Sequence, residues 1–302
     1  MFGFMLVLAT GQSREGSIVF TDSVSKRLLR LALDQTTDGA VPHVIAQRIS
    51  TYGGLLPWKG LLLAATTDHK IIQLDPWCNS SCASTRLVDV PKALGVDKVV
   101  DVFTVGDIAL CGDGALYIAY GGNSTAGQSG IMRCQGCQSN RDCTPQCEVV
   151  NGGESPGVGM HQLGGYAAGV ECVGDKVLVA DNTNLRVQAI PASCRRSPCD
   201  ISTFASRLNY PLGIAKVSDT ILVTLDASIA SLSPDGSQRL WSKQGDCGYL
   251  IQAKDSVFVA NRNIISFDLT CRGPDCNPSL VWNATRGVEV YGALAYIERA
   301  LQ

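Results

Sequence analysis

The sequence predicts an all-β fold, a six-bladed β-propeller built of four-stranded antiparallel blades and closed by a C-terminal strand. Three observations predict it. One strand–turn–strand pattern recurs six times along the 302 residues. Its mean spacing is about 48 residues, close to the length of a propeller blade. The chain ends in a strand of the innermost type with no blade behind it.

The six copies read SIVFTDSVSKRLLRLALD from Ser17, LLLAATTDHKIIQLD from Leu61, ALYIAYGGNSTAGQSGIMRC from Ala115, KVLVADNTNLRVQAI from Lys176, TILVTLDASIASLS from Thr220 and SVFVANRNIISFDL from Ser256. Each has two short runs rich in Val, Ile, Leu and Tyr, separated by turn residues, which reads as a hairpin. Some runs alternate, as in Arg186-Val187-Gln188-Ala189-Ile190. Others are continuously apolar, which fits sheets packed on both faces.

Short apolar segments with small residues precede the copies: Tyr52-Gly53-Gly54-Leu55-Leu56, Tyr166-Ala167-Ala168-Gly169-Val170 and Pro211-Leu212-Gly213-Ile214-Ala215. Small residues suit innermost strands, where backbones converge on the axis. Outer strands follow at Pro42–Ala46, Arg86–Val90 and Ser279–Trp282. The segment Val290–Ile297 is expected to supply the innermost strand of the first blade and to latch the ring, which removes open sheet edges. Phe4–Ala9 is the competing strand for that place. Residues 1–16 are set apart as an N-terminal segment, a signal-peptide remnant or a strand, and residues 17–302 as one propeller domain.

Composition narrows the function classes. The net charge is −2 and no basic stripe is present, which argues against a nucleic-acid partner. No apolar run reaches the ~18 residues of a membrane-spanning helix. Thirteen cysteines together with three N-x-S/T sequons at Asn79, Asn123 and Asn283 point to an oxidising, secreted or extracellular setting.

The cysteines follow the repeat. Cys78 and Cys82, Cys194 and Cys199, and Cys271 and Cys276 each flank a turn after the third strand of a blade. A disulfide there pins the hairpin at the rim. Cys134, Cys137, Cys143 and Cys147 occupy the same region of the third blade. A zinc site competes there with two disulfides, and the repeated pairs elsewhere favour disulfides. Cys111 and Cys172 sit beside innermost strands of adjacent blades and are expected to bridge. Cys247 is left over, as a buried thiol or an intermolecular one.

The stretch Val179-Ala180-Asp181-Asn182-Thr183-Asn184-Leu185-Arg186-Val187-Gln188 resembles the NHL repeat. That repeat has a strand ending V-A-D, a turn rich in Asn and Gly, and N-x-R-V/I-Q opening the next strand. Phe20-Thr21-Asp22-Ser23 with Lys26-Arg27-Leu28 resembles the YWTD and gluconolactonase-type propellers. Tyr210-Pro211-Leu212-Gly213-Ile214-Ala215 is similar to the P-x-G-I-A that opens NHL repeats. The resemblance implies a six-bladed propeller and leaves function open.

Enzymes among such propellers place their chemistry at the central channel. Peptide-amidating lyases hold zinc with histidines. Here His43 falls on an outer strand, His69 in a turn and His161 in a long loop, so no three-histidine site is expected. Gluconolactonase-type propellers hold a divalent cation with Glu, Asn and Asp; Glu171, Asp107 and Glu289 are the candidate carboxylates near innermost strands. Asp22, Asp181, Asp226 and Asn261 recur after the second strand and read as turn caps.

Three readings result. The first is a glycosylated protein- or glycan-binding scaffold without catalysis or cofactor, whose most distinctive surface is the insertion from Cys134 to Gly165. The second is a secreted metal-dependent hydrolase or lyase with a divalent cation at the channel. The third is a self-assembling subunit of an extracellular fibre or coat.

Overall fold

The computed structural model describes residues 14–35, 40–49, 51, 53–78, 82–95, 104–121, 129–136, 145–152, 157–159, 162–164, 167–197, 199–243, 248–261, 263–270, 273, 276–283, 290 and 294–300. They form six antiparallel four-stranded sheets arranged as a ring. The first blade contains β1 (Arg14–Asp22), β2 (Arg27–Ala32) and β3 (His43–Gln47). The second runs through β4 (Leu55–Trp58), β5 (Leu61–Ala65), β6 (Lys70–Leu74) and β7 (Thr85–Asp89), with a four-residue helix α1 (Val90–Ala93) behind it.

The third blade is β8 (Thr104–Leu110), β9 (Leu116–Gly121), β10 (Gly130–Gln135) and β11 (Gln146–Gly152). The fourth is β12 (Ala167–Val173), β13 (Lys176–Asp181), β14 (Arg186–Pro191) and β15 (Ser202–Ser206). The fifth is β16 (Ile214–Val217), β17 (Thr220–Leu225), β18 (Ser228–Leu232) and β19 (Gln238–Ser242). The sixth is β20 (Tyr249–Ala253), β21 (Ser256–Asn261), β22 (Asn263–Asp268) and β23 (Ser279–Trp282).

The last strand, β24 (Leu294–Ala300), pairs with β1 as the innermost strand of the first blade, with Phe20 opposite Leu294 and Arg14 opposite Ala300. The C-terminal latch read from the sequence is therefore in place. Residues Phe4–Ala9 lie outside the described residues. The six innermost strands β4, β8, β12, β16, β20 and β24 touch one another in turn and close around the axis. Several innermost strands begin later than the sequence pattern suggests, β4 at Leu55 and β16 at Ile214. Their small residues form the lead-in instead.

The core is divided among six hydrophobic clusters, one at each seam between neighbouring blades. Second strands face two seams at once, so β9 is buried along its whole length. Outer strands face solvent over much of their length, as β15 does. In every blade the pairing of the third and fourth strands shifts register once, for example between Leu28 and Leu29 and between Ile71 and Ile72. A bulge at the rim adds local twist, which lets each sheet fan outward from the axis.

The described disulfides share one face of the disc, the face carrying the first-to-second and third-to-fourth strand connections. Cys78–Cys82 closes the β6–β7 connection and Cys194–Cys199 the β14–β15 connection. Cys134 and Cys147 are bonded as directly opposed partners on β10 and β11. Cys111–Cys172 ties the end of β8 to β12 across a seam. Cys276, just before β23, is also disulfide-bonded. Cys137, Cys143, Cys247 and Cys271 lie outside the described residues.

Candidate functional site in the axial channel

The innermost strands enclose an axial cavity of about 310 Å³, to which all six blades contribute. Innermost strands present one edge to the axis, and their backbone groups there have no sheet partner. Two acidic side chains answer this need. Asp107 lies on β8 just after Gly106, where the pairing with β9 skips a residue. Such a bulge re-aims the following side chain. The Asp107 carboxylate accepts hydrogen bonds from its own neighbour Ile108 N at 2.9 Å and from Val170 N of the next blade at 3.1 Å.

Glu171 on β12 repeats the arrangement one blade on. It accepts from Cys172 N at 2.8 Å and, more weakly, from Lys216 N on β16 at 3.4 Å. Both carboxylates line the cavity. Each therefore ties its own blade to the following one.

Their protonation is set by burial. Loss of water pushes Asp107 up to about 8, with the neighbouring Glu171 charge adding to the rise, against the pull of the Val170, Ile108 and Gly54 N–H groups. Burial pushes Glu171 up to about 7, although the Cys172 and Lys216 N–H groups and the Lys216 charge favour its ionised form. Two acids with displaced protonation in one cavity can exchange protons or hold a cation.

One end of the cavity is barred by Tyr249. Its hydroxyl, at the start of β20, reaches across the axis and donates to Gly106 O at 3.1 Å. Gly53 packs into the same junction; a Cβ there would stand 1.8 Å from Gly106 O and 2.3 Å from the Tyr249 hydroxyl. Sequence reasoning passed over Tyr249. The signal was a small residue followed by an aromatic one, Gly248-Tyr249, opening an innermost strand.

The other sequence candidates do not join this site. His43 is exposed on β3. His69 sits in the β5–β6 turn with φ 65°, its imidazole held below the usual range by burial. His161 and Glu289 lie outside the described residues. Among the described residues no three His, Cys, Asp or Glu side chains converge as a metal site would require. Asp22 caps its turn, accepting from Ser25 N at 3.2 Å and pairing with Arg27, whereas Asp181 holds side chains, pairing with Arg186 at 2.8 Å and accepting from Asn184, and takes its backbone amide from Gly164 outside the turn. Asp226 is exposed in the β17–β18 turn, and Asn261 ends β21. Asn283 is exposed, whereas Asn79 and Asn123 lie outside the described residues.

The stretch carrying the NHL resemblance works as an anchor. Arg186, facing Asp181 across the β13–β14 turn, also donates to Gly159 O at 3.0 Å and Gln162 O at 2.8 Å. Asn184 donates to Gly157 O at 2.8 Å and to Asp181. Gln188 accepts from Asn151. The motif thus pins part of the insertion that precedes β12.

No protein-family model matches the chain, and no curated protein does either. Solved structures do resemble it. A chain of the nidogen/laminin complex superposes with a TM-score of 0.63 at 12% identity, over 95% of this chain and 98% of that one. A protein of unknown function from Bacteroides caccae gives 0.58 at 10% identity, over 94% and 99%. A luciferin-regenerating enzyme gives 0.57 at 12% identity, over 94% and 95%. The chain shares their overall fold. At such identities the likeness extends to the fold alone, and the neighbours include both an enzyme and a component of a protein complex.

Proposed function

We propose that this propeller is an extracellular, glycosylated recognition module that presents one face of its disc to a protein or glycan and catalyses no reaction. The observation that supports this most is the placement of the described disulfides, all on one face. Cross-links that fix loops before binding lower the ordering cost of association. That face also carries Arg195 and Arg196, exposed inside the Cys194–Cys199 loop. Asn283 follows β23 on the opposite face, so a glycan there leaves the stapled face open.

The test is partner capture from extracellular fluid or matrix with the natively secreted protein, followed by affinity measurement on the purified partner. Replacing Arg195 and Arg196 by Glu is expected to weaken binding at least tenfold, and Asn283→Gln to leave it unchanged. Failure to find any saturable partner overturns the reading.

Asp107 and Glu171 favour a second reading, a secreted hydrolase or lyase with a divalent cation in the channel. Two carboxylates supply part of a cation's oxygen shell. Elemental analysis of chelator-free secreted protein decides it: a stoichiometric divalent ion supports the enzyme reading, and its absence rejects it.

A further inference from the structure

The six seams are not filled alike. Cysteines or tryptophans reinforce five of them, such as Trp58 and Cys134 between the second and third blades and Trp241 and Cys276 between the fifth and sixth. Among the described residues the seam between the fourth and fifth blades has neither; its buried cluster contains five alanines and no buried aromatic residue. A cleft of about 210 Å³ opens at this seam, on the same face as the disulfides.

The cleft has an apolar floor and a charged rim. Leu178, Ile221 and Leu232 form the floor, with the Phe204 ring as one wall. The rim carries Lys176 and Lys216 together with Asp175 and Asp219, all four exposed. Lys176 lies over the Phe204 ring, 5.9 Å from its centroid. Among the described residues no carboxylate is in ion-pairing contact with either lysine ammonium, although both signs of charge surround the same opening.

We propose that this cleft binds a free α-amino acid with a large apolar side chain, as its zwitterion. The volume equals that of about seven liquid waters, which suits one ring or branched alkyl group and excludes a drug-sized body. The side chain would displace water from the Leu178–Phe204 floor. The carboxylate would meet the Lys176 ammonium, Lys216 being shared with Glu171 of the axial cavity, and the α-ammonium would meet Asp175 and Asp219. A ligand with only one of the two charges leaves the other half of the rim unanswered. The inference stands whether or not the disc also meets a macromolecular partner.

The test is calorimetric titration of the natively secreted protein with L-phenylalanine, L-leucine, N-acetyl-L-phenylalanine, L-phenylalaninamide and glycine. Saturable binding of phenylalanine or leucine is expected, with both capped derivatives at least fivefold weaker and glycine silent. Lys176→Gln and Asp219→Asn, exposed changes whose melting temperatures report retained folding, are each expected to weaken binding at least fivefold. Arg86→Ala, on the second blade, leaves it unchanged. No binding of either amino acid overturns the proposal. So does equal binding of a capped derivative, or affinity indifferent to both cleft variants.

Discussion

Cys111 and Cys172 are bonded across the seam between the third and fourth blades, 61 residues apart in sequence. A cross-link over so long a loop restricts the unfolded chain most. Its loss, as Cys111→Ser with Cys172→Ser, is expected to cost about 4 kcal/mol on the chain-entropy scale. The Cys78–Cys82 bridge spans only four residues, and its removal is expected to cost about 2 kcal/mol. Denaturant unfolding of the two double variants checks the order; equal losses contradict it.

Between pH 3.8 and about 8 the two channel carboxyls are expected to make stability fall as pH rises. Asp107 has an ordinary value of 3.8 and stands at about 8 in the fold. Between those values the folded state keeps a proton that the unfolded chain has released. The stabilisation is complete below 3.8 and is lost as pH passes through about 8. Glu171 adds the same sign between 4.5 and about 7. The slope approaches about 1.4 kcal/mol per pH unit for each group. Glu171→Gln is expected to flatten the profile between pH 5 and 7. Urea unfolding at a series of pH values tests this, and a level wild-type profile would sink it.

Arg186 is expected to matter more than its counterpart Arg27. Both face a buried aspartate across the second-to-third strand turn, Asp181 and Asp22. The Arg186 side chain is 11% exposed and that of Arg27 35%. Both losses leave a buried carboxylate without its cation, but Arg186→Ala also frees Gly159 O and Gln162 O and is expected to cost about 3 kcal/mol, against about 1–2 kcal/mol for Arg27→Ala, where Ser25 still donates to Asp22. Hydrogen exchange adds a local readout: the Gly164 amide, which donates to Asp181, is expected to lose protection in the first variant only.

The axial plug gives a graded pair. Tyr249→Phe removes the donor to Gly106 O and is expected to cost about 1–2 kcal/mol. Gly53→Ala forces a methyl group against backbone at 1.8 Å, which flexible side chains cannot relieve. Its expected outcome is loss of secreted, folded protein. A Gly53→Ala variant secreted at wild-type yield would show that the junction can open.

The blade pattern was legible because local chemistry repeats. Val, Ile and Leu runs ended at Asp, Asn and Gly turns, and Val290–Ile297 had no other sheet to join, although the strand itself runs later, over Leu294–Ala300. The cysteine pairs beside third strands were legible for the same reason. The axial plug was not, because Tyr249 and Gly106 are 143 residues apart and nothing local marks their meeting. Nor could the cleft beside Phe204 be read. It is lined by Leu178 and Phe204 of the fourth blade and Ile221 and Leu232 of the fifth, which become neighbours only after the ring forms. The place of Asp107 could be read, but its displaced protonation depends on burial that all six blades create together.

Strand β24 also sets a biosynthetic order. The axial edge of β1 is covered by residues 294–300, which are translated after every other described strand. Until they emerge, the growing chain is an open crescent with a bare edge at β1. A chain interrupted before residue 294 would keep that crescent and its sticky flank. Closure of the ring therefore waits on the synthesis of a single seven-residue strand.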